Sequence, residues 1–273
     1  MNAHLLKMRI AVSANLELHE TLGYARRVLK FLEREGVEVA LDEPLAKKLK
    51  ARRSKKGAAD VLVTIGGDGT VLRALQTSKA NILSINAGSV GFLTEVMPDD
   101  IETRLADLLD GKYFLDKRTK LKVTANGRRL LDCINEAVVH TATISKMRHF
   151  MLWVDGELAL DVRADGIIIA TPTGSTCYAM SAGGPIIDPS VNAFVIAPLA
   201  AYKMFVRPIV VPASSVMEVR FGKKRDCLLV LDGQYEERLD ASSVLKFSQS
   251  EGEAHFVRFR EGFYDRLREK FKM

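Results

Sequence analysis

Residues 61–72 read VLVTIGGDGTVL: five apolar or β-branched residues without a charge, then three glycines around one carboxylate. A strand with no polar face needs cover on both sides, which favours a parallel sheet layered by helices. Its turn falls at the carboxyl edge of such a sheet, where open α/β folds bind ligands. The glycines allow tight turning and close approach of a ligand to the backbone. Glycine turns of this kind suit phosphate, because bare N–H groups and the positive end of the next helix point at it. Asp68, at the centre of the turn, is therefore out of place beside a bare phosphate. Two chemistries accommodate it. It can hold Mg²⁺ that bridges carboxylate and phosphate oxygens, or accept the proton of a hydroxyl that attacks phosphorus. The bland reading is a structural turn with an aspartate that tolerates left-handed backbone.

The surrounding pattern fits an α/β layer. MRIAVSA (8–14) reads as a buried strand, and Leu18 to Glu35 as a helix with Leu18, Leu22, Ala25, Val28, Leu29 and Leu32 on one face. Gly36 stands where a helix C-cap belongs. Val37–Leu41, the 61–65 strand and NILSINAG (81–88) add further strands, and Thr70 is placed to cap the helix after GGDG. DDIETRLADLL (99–109) reads as a helix capped by Asp99 or Asp100. Beyond Gly111 the pattern turns to alternation, punctuated by Asn126-Gly127, Asp155-Gly156 and Asp232-Gly233. Phe263, Leu267 and Phe271 then sit at i, i+4, i+8 of a closing amphipathic helix. The expected division is an α/β domain over 1–112, a β-rich domain over 113–255, and a helix over about 256–273 returning to the first domain.

Bulk properties exclude several classes. With 273 residues, 47% hydrophobic and 27% charged, the chain reads as one large or two packed globular domains. A formal charge of +6 suits anionic ligands such as nucleotides, and no aromatic-interleaved basic face or zinc spacing points to nucleic acid. Cys133, Cys177 and Cys227 form neither a disulfide framework nor a metal knuckle, so reduced thiols in a cytoplasm are expected. No secretory h-region or membrane-length apolar run occurs, and no membrane partner is expected. KKLKARRSKK (47–56) carries seven basic residues in ten. It reads first as a solvated loop or frayed helix and second as an arm near a polyanionic substrate.

A second segment bears chemistry. ATPTGSTCYAMSAGGPI (170–186) follows the apolar strand GIIIA and offers Thr171, Thr173, Ser175 and Thr176 before a short helix. A hydroxyl-rich turn at a helix start can give a nucleotide both backbone and side-chain donors, beyond ordinary capping. GGDGT, NAGSVGFLTE (86–95), NEAV (135–138), the 165–187 segment and DGQ (232–234), in this order, resemble the NAD kinases. GGDGT alone is shared with diacylglycerol and sphingosine kinases and, more loosely, with 6-phosphofructokinases. The TPTGST-x-Y segment discriminates, and the Pro-x-Gly-Thr-x-Asn-Asp type of segment expected in the lipid kinases is absent.

The resemblance implies an N-terminal α/β domain with a Rossmann-like parallel sheet and a β-rich C-terminal domain. It implies phosphorylation of the 2′-hydroxyl on the adenosine ribose of NAD by ATP or polyphosphate, giving NADP, with a divalent metal such as Mg²⁺. It implies Asp68 as catalytic base and Gly69 as a ligand contact. Asn135 and Glu136 match a pair that holds NAD through base and ribose, and Asp165 an acid that contacts the dinucleotide. Thr176, Cys177, Tyr178, Ala179, Met180 and Ser181 fall on the adenosine-binding stretch, and Gln234 matches the DGQ glutamine. Arg73, Lys146, Arg148 and Arg163 lie at or near positions of cations that contact phosphate or ribose; a solvated surface charge is their bland reading. Cys177 stands where the family usually has alanine. The 197–212 loop keeps Arg207-Pro208 but lacks a histidine seen in many members, leaving Ala200 to line the pocket through backbone atoms. A homodimer or homotetramer is also implied. Alternatives are a GGDGT-type kinase of a lipid or sugar hydroxyl, and an NAD-binding regulator without catalysis.

Overall fold

The computed structural model describes residues 8–51, 59–88, 91–143, 146–203, 205–222 and 226–272. Positions 52–56 of the basic run and Ser89-Val90 of NAGSVGFLTE lie outside these residues. The chain forms two compact units, one of residues 1–117 with 255–273 and one of residues 118–254.

The first unit begins β1 (Ile10–Ala14), α1 (Thr21–Arg34), β2 (Val39–Leu41), α2 (Glu43–Leu49), β3 (Val61–Gly66), α3 (Asp68–Thr77), β4 (Asn81–Asn86) and α4 (Ile101–Leu109). The strands lie in the order β2-β1-β3-β4, all parallel. Every residue of β3 is buried, as its uncharged sequence requires. One face is closed by α1 and α4, whose Ala25, Val28, Leu32, Ile101, Leu105 and Leu108 share a core with Val12, Val63 and Ile85. Gly36 stops α1 with φ +73, a left-handed value that costs glycine little.

Three local features differ from expectation. α3 starts at Asp68, with Gly67 as its extended N-cap. Thr70 lies inside the first turn, its N–H bonded to the Gly67 carbonyl at 2.9 Å, and caps nothing. The turn closes tightly on Thr70 because residue 66 is glycine: a Cβ there would stand 2.3 Å from Thr70 Oγ1. Asp100 occupies the N-cap of α4 after a 3-10 turn at Pro98–Asp100, but its side chain makes no capping bond. Helix α2, unforeseen, is announced by Asp42-Glu43-Pro44: the Asp42 carboxylate accepts the Leu45 N–H at 2.8 Å, with proline in the first turn. Lys47 and Lys48 form its last turn and Lys50 its left-handed cap.

The second unit holds β5 (Phe114–Ala125, entering from the first unit), β6 (Arg128–Arg129), β7 (Glu136–Thr141), β8 (Arg148–Val154), β9 (Glu157–Ala164), β10 (Gly166–Ala170), α5 (Tyr178–Ser181), β11 (Ala193–Leu199), β12 (Ile209–Pro212), β13 (Met217–Gly222), β14 (Cys227–Leu231), β15 (Tyr235–Leu239) and most of β16 (Leu245–Arg258). Six strands form an antiparallel sheet, β12-β11-β10-β7-β14-β15. The three Asx-Gly pairs each turn a hairpin with positive φ at both residues: 51 and 78 at Asn126-Gly127, 50 and 86 at Asp155-Gly156, 51 and 64 at Asp232-Gly233. Alternate residues of β10 enter different cores. Ile167 and Ile169 join Phe150, Leu152, Met217 and Phe247, whereas Ile168 and Ala170 join Ala179 and Ile187 from the segment after the strand. GIIIA is thus apolar throughout although its neighbours are antiparallel, because its own following loop covers the second face.

The end of β16 belongs to the first unit, where Phe256 pairs in parallel with Ile82 of β4. The chain closes with α6 (Phe263–Phe271), whose Phe263 and Phe271 rings lie 6.5 and 5.7 Å from the ring of Phe92.

Candidate active site

In the first unit, Asp68 is the first residue of α3, where its negative charge meets the positive end of the helix. Its Oδ2 accepts the Phe92 N–H at 2.9 Å and its Oδ1 the Leu93 N–H at 3.0 Å. The segment after β4 can approach so closely because residue 91 is glycine: a Cβ there would stand 2.1 Å from Oδ1. Lys270 of α6 completes the surroundings, with Nζ 3.8 Å from Oδ2. A carboxylate offers about four lone-pair positions, so each oxygen keeps one for a further donor. Gly69 and Arg73, on α3, are exposed.

In the second unit, a buried carboxylate organises the Asn135-Glu136 turn. Asp232 accepts N–H bonds from Ile134 (2.8 Å), Asn135 (2.7 Å) and Glu136 (3.1 Å). Burial pushes the Asp232 carboxyl up to about 6, against the pull of those three N–H groups. Glu136 rises further, to about 8, through burial and then the Asp232 charge, while the Tyr178 N–H pulls it down. Asn135 Oδ1 and Glu136 Oε2 are buried without a hydrogen-bond partner. A native fold rarely leaves such oxygens unsatisfied, and ligand donors are one remedy. The 170–186 loop packs directly on this turn: Asn135 Nδ2 reaches Cys177 Sγ at 3.5 Å, and a Cβ on Gly174 would stand 2.2 Å from the Asn135 carbonyl oxygen.

The hydroxyls of that loop are largely spent inside it. Thr171 Oγ1 donates to the Ile134 carbonyl, Ser175 Oγ donates to Pro172 and accepts from the Ile187 N–H at 2.9 Å, and Thr176 Oγ1 donates to Thr173. They hold the shape of the loop, and neither short helix there takes a side-chain cap bond from its N-cap residue. Tyr178 and Ser181 are exposed, Cys177 and Met180 partly so, and Ala179 is buried. The Gln234 N–H closes the β14–β15 turn on Leu231 at 2.9 Å.

The remaining expected residues gather at the other end of the same sheet. β10 ends beside Glu136, but it starts between His140 and Leu199. There stand Asp165, its N–H on the Leu199 carbonyl at 2.9 Å, and exposed Ala200 with φ +46. Arg163 lies over the Tyr202 ring at 5.5 Å, and Lys146 is exposed. Arg148 is buried with its guanidinium 5.0 Å from the Phe221 ring centroid. A five-residue strand and its flanks separate the two groups by about 15–20 Å at some 3.3 Å per residue. Within this unit the sequence-expected residues therefore form two clusters.

Comparison with known proteins settles the ancestry. Residues 10–113 match the model of the ATP-NAD kinase N-terminal domain and residues 134–259 that of the C-terminal domain. The chain belongs to the NAD kinase family. It is 44% identical over 272 residues to the NAD kinase of Methanothermobacter thermautotrophicus, covering 96% of each chain. It is 48% identical over 214 residues to that of Thermoplasma volcanium, covering 78% of this chain and 79% of the relative. An NAD kinase from Archaeoglobus fulgidus, crystallised with ATP, is 32% identical with a TM-score of 0.78, over 97% of this chain and 98% of its own. A yeast NADH kinase complexed with NADH shares the fold, with a TM-score of 0.89 at 21% identity, over 97% of this chain and 87% of its own. The NAD kinase fold here is thus an α/β unit with a mostly parallel sheet and a β-rich unit.

Three groups described within these two units carry no signal that singles them out in the sequence. Asp232 was visible in DGQ and in its hairpin pair, but its three N–H bonds were not. The Phe92 and Leu93 N–H groups are backbone atoms and leave no residue-type signal. Lys270 is one more lysine on a basic amphipathic helix until the fold brings it to Asp68.

Proposed function

We propose that this NAD kinase transfers the terminal phosphoryl group of ATP to the 2′-hydroxyl of the adenosine ribose of NAD, with Asp68 as general base. The observation that carries the reading is Asp68 itself: a carboxylate at a helix start, held by two N–H bonds and keeping one lone-pair position on each oxygen. The ribose 2′-oxygen attacks the γ-phosphorus in line, its proton passes to Asp68, and the bond from phosphorus to the β-γ bridging oxygen breaks to release ADP. NAD is held by Asn135 and Glu136, whose unpaired buried oxygens accept from base and ribose donors. The 176–181 loop and Gln234 line the adenosine, Gly69 and Arg73 meet phosphate, and Lys146, Arg163, Asp165 and Ala200 form a second contact region.

A divalent cation such as Mg²⁺ enters this reading with the donor, neutralising its phosphates. Among the described residues no group of three or more His, Cys, Asp or Glu side chains is arranged to hold one. The reading includes polyphosphate as a donor to be compared with ATP, a homodimer or homotetramer, and a cytoplasmic location. Among the described residues no helix is long and apolar enough to cross a membrane.

Incubation with NAD, ATP and Mg²⁺ is expected to form NADP. Asp68→Asn is expected to lower kcat by at least about 10²-fold while leaving the KM for NAD within about twofold. Near-normal turnover by that variant would remove Asp68 as the base. Phosphorylation of a lipid or sugar hydroxyl in place of NAD, or NAD binding without turnover, would replace the reading.

A further inference from the structure

A carboxylate set where donor phosphates must come close needs a compensating positive charge, because two anions at such range repel. The N–H groups of Phe92 and Leu93 supply partial charge only. Lys270 supplies a full one. Its Nζ lies 3.8 Å from Asp68 Oδ2 and 4.5 Å from the centroid of the Phe92 ring, the residue whose N–H binds the same oxygen. The lysine is held there by packing on both sides of the contact. Phe263 and Phe271 of α6 pack on the Phe92 ring, and Leu267 is buried between them in sequence.

The segment that carries Phe92 is fixed as firmly. Arg258, 1% exposed, donates to the carbonyls of Phe92, Leu93 and Thr94 and pairs with Glu95 at 2.8 Å. Arg266 of α6 reaches the same Glu95 oxygen at 3.5 Å, and the Phe259 N–H bonds its other oxygen at 3.0 Å. The C-terminal arm from Arg258 onward therefore grips the 92–95 segment, which grips Asp68, and then touches Asp68 directly through one side chain.

We propose that Lys270, delivered by α6, is a positioning residue for phosphoryl transfer: it orients the Asp68 carboxylate and offsets its repulsion of the donor phosphates. This rests on Asp68 being the base. At 33% and 25% side-chain exposure the pair is partly screened in the free enzyme, and substrates that exclude water strengthen it.

The test is a double-mutant cycle on the full chain, with kcat, KM for NAD and ATP, and the thermal midpoint measured for each variant. Lys270→Met is expected to lower kcat about tenfold with both KM values within about twofold and the midpoint within a few degrees. Lys270→Arg, which keeps the charge over the ring, is expected to recover most of the loss. In the Asp68→Asn background, Lys270→Met is expected to cost nothing more, because the partner through which it acts is gone. Unchanged kcat in Lys270→Met overturns the proposal, as does the same fold-loss in the Asp68→Asn background or failure of arginine to rescue. A rise in KM with a lowered midpoint assigns the lysine to folding and also overturns it. Near-normal turnover by Asp68→Asn alone is a different result, which removes the base assignment and leaves Lys270 without a target.

Discussion

Glu136 shows how much one buried side chain can tell at the scale of a residue. Its carboxyl is desolvated, faces the Asp232 charge and has Oε2 unpaired, and its pKa stands at about 8. A carboxyl whose pKa rises on folding holds its proton more tightly in the native state than in the unfolded chain. Its contribution to stability is therefore complete at low pH and is lost as pH rises from the ordinary glutamate range through about 8. Glu136→Gln, which carries no charge at any pH, is expected to unfold at a higher temperature than the parent near pH 9, with the difference closing near pH 5. Thermal midpoints of the ligand-free proteins across that range check it. A constant difference would mean that Glu136 does not titrate against folding. Asp68, Asn135 and Glu136 were legible as residue types in motifs. Their roles as acceptors became specific only with partners: two N–H donors on Asp68, none on Asn135 Oδ1.

At the scale of elements, the end of β16 does more than add a strand. Arg258 leaves it fully buried and anchors a neighbouring segment through three carbonyls and one carboxylate. Removing one member of a buried ion pair leaves the other desolvated and uncompensated, typically at 3–5 kcal/mol. Arg258→Met is expected to cost about 3 kcal/mol, toward the low end because Arg266 and the Phe259 N–H remain on Glu95. Denaturant unfolding measures it, and a loss under about 1 kcal/mol would show that water replaces the guanidinium there. Strand and hairpin signals were the most readable elements, since β-branched runs and Asx-Gly pairs act locally. Cap assignments were less so: Thr70 and Asp100 had suitable side chains, yet α3 begins two residues before Thr70, a 3-10 turn precedes α4, and neither helix has a side-chain cap bond.

For the whole molecule, charge and chain path matter most. A surplus of +6 draws anionic nucleotides toward the protein, and salt screens that attraction over about 8 Å at physiological ionic strength. The KM values for NAD and ATP are expected to rise with added NaCl while kcat changes little, read from steady-state kinetics between about 0.05 and 0.5 M salt. A kcat that falls in step would place the salt effect on the chemical step. The first unit is discontinuous, since the chain leaves it near residue 117 and returns at 255. By itself the sequence determined the family, the α/β-then-β order, the hairpins and the identity of the carboxylate in GGDG, because each is written in local periodicity or in a dense motif. Only the tertiary structure decided that the expected contacts of the second unit divide between two ends of one sheet, that Asp232 organises Asn135 and Glu136, and that Lys270 stands beside Asp68. Those contacts join residues up to some two hundred positions apart, and a distance of that kind is set by how sheets and helices pack and leaves no trace in composition or spacing.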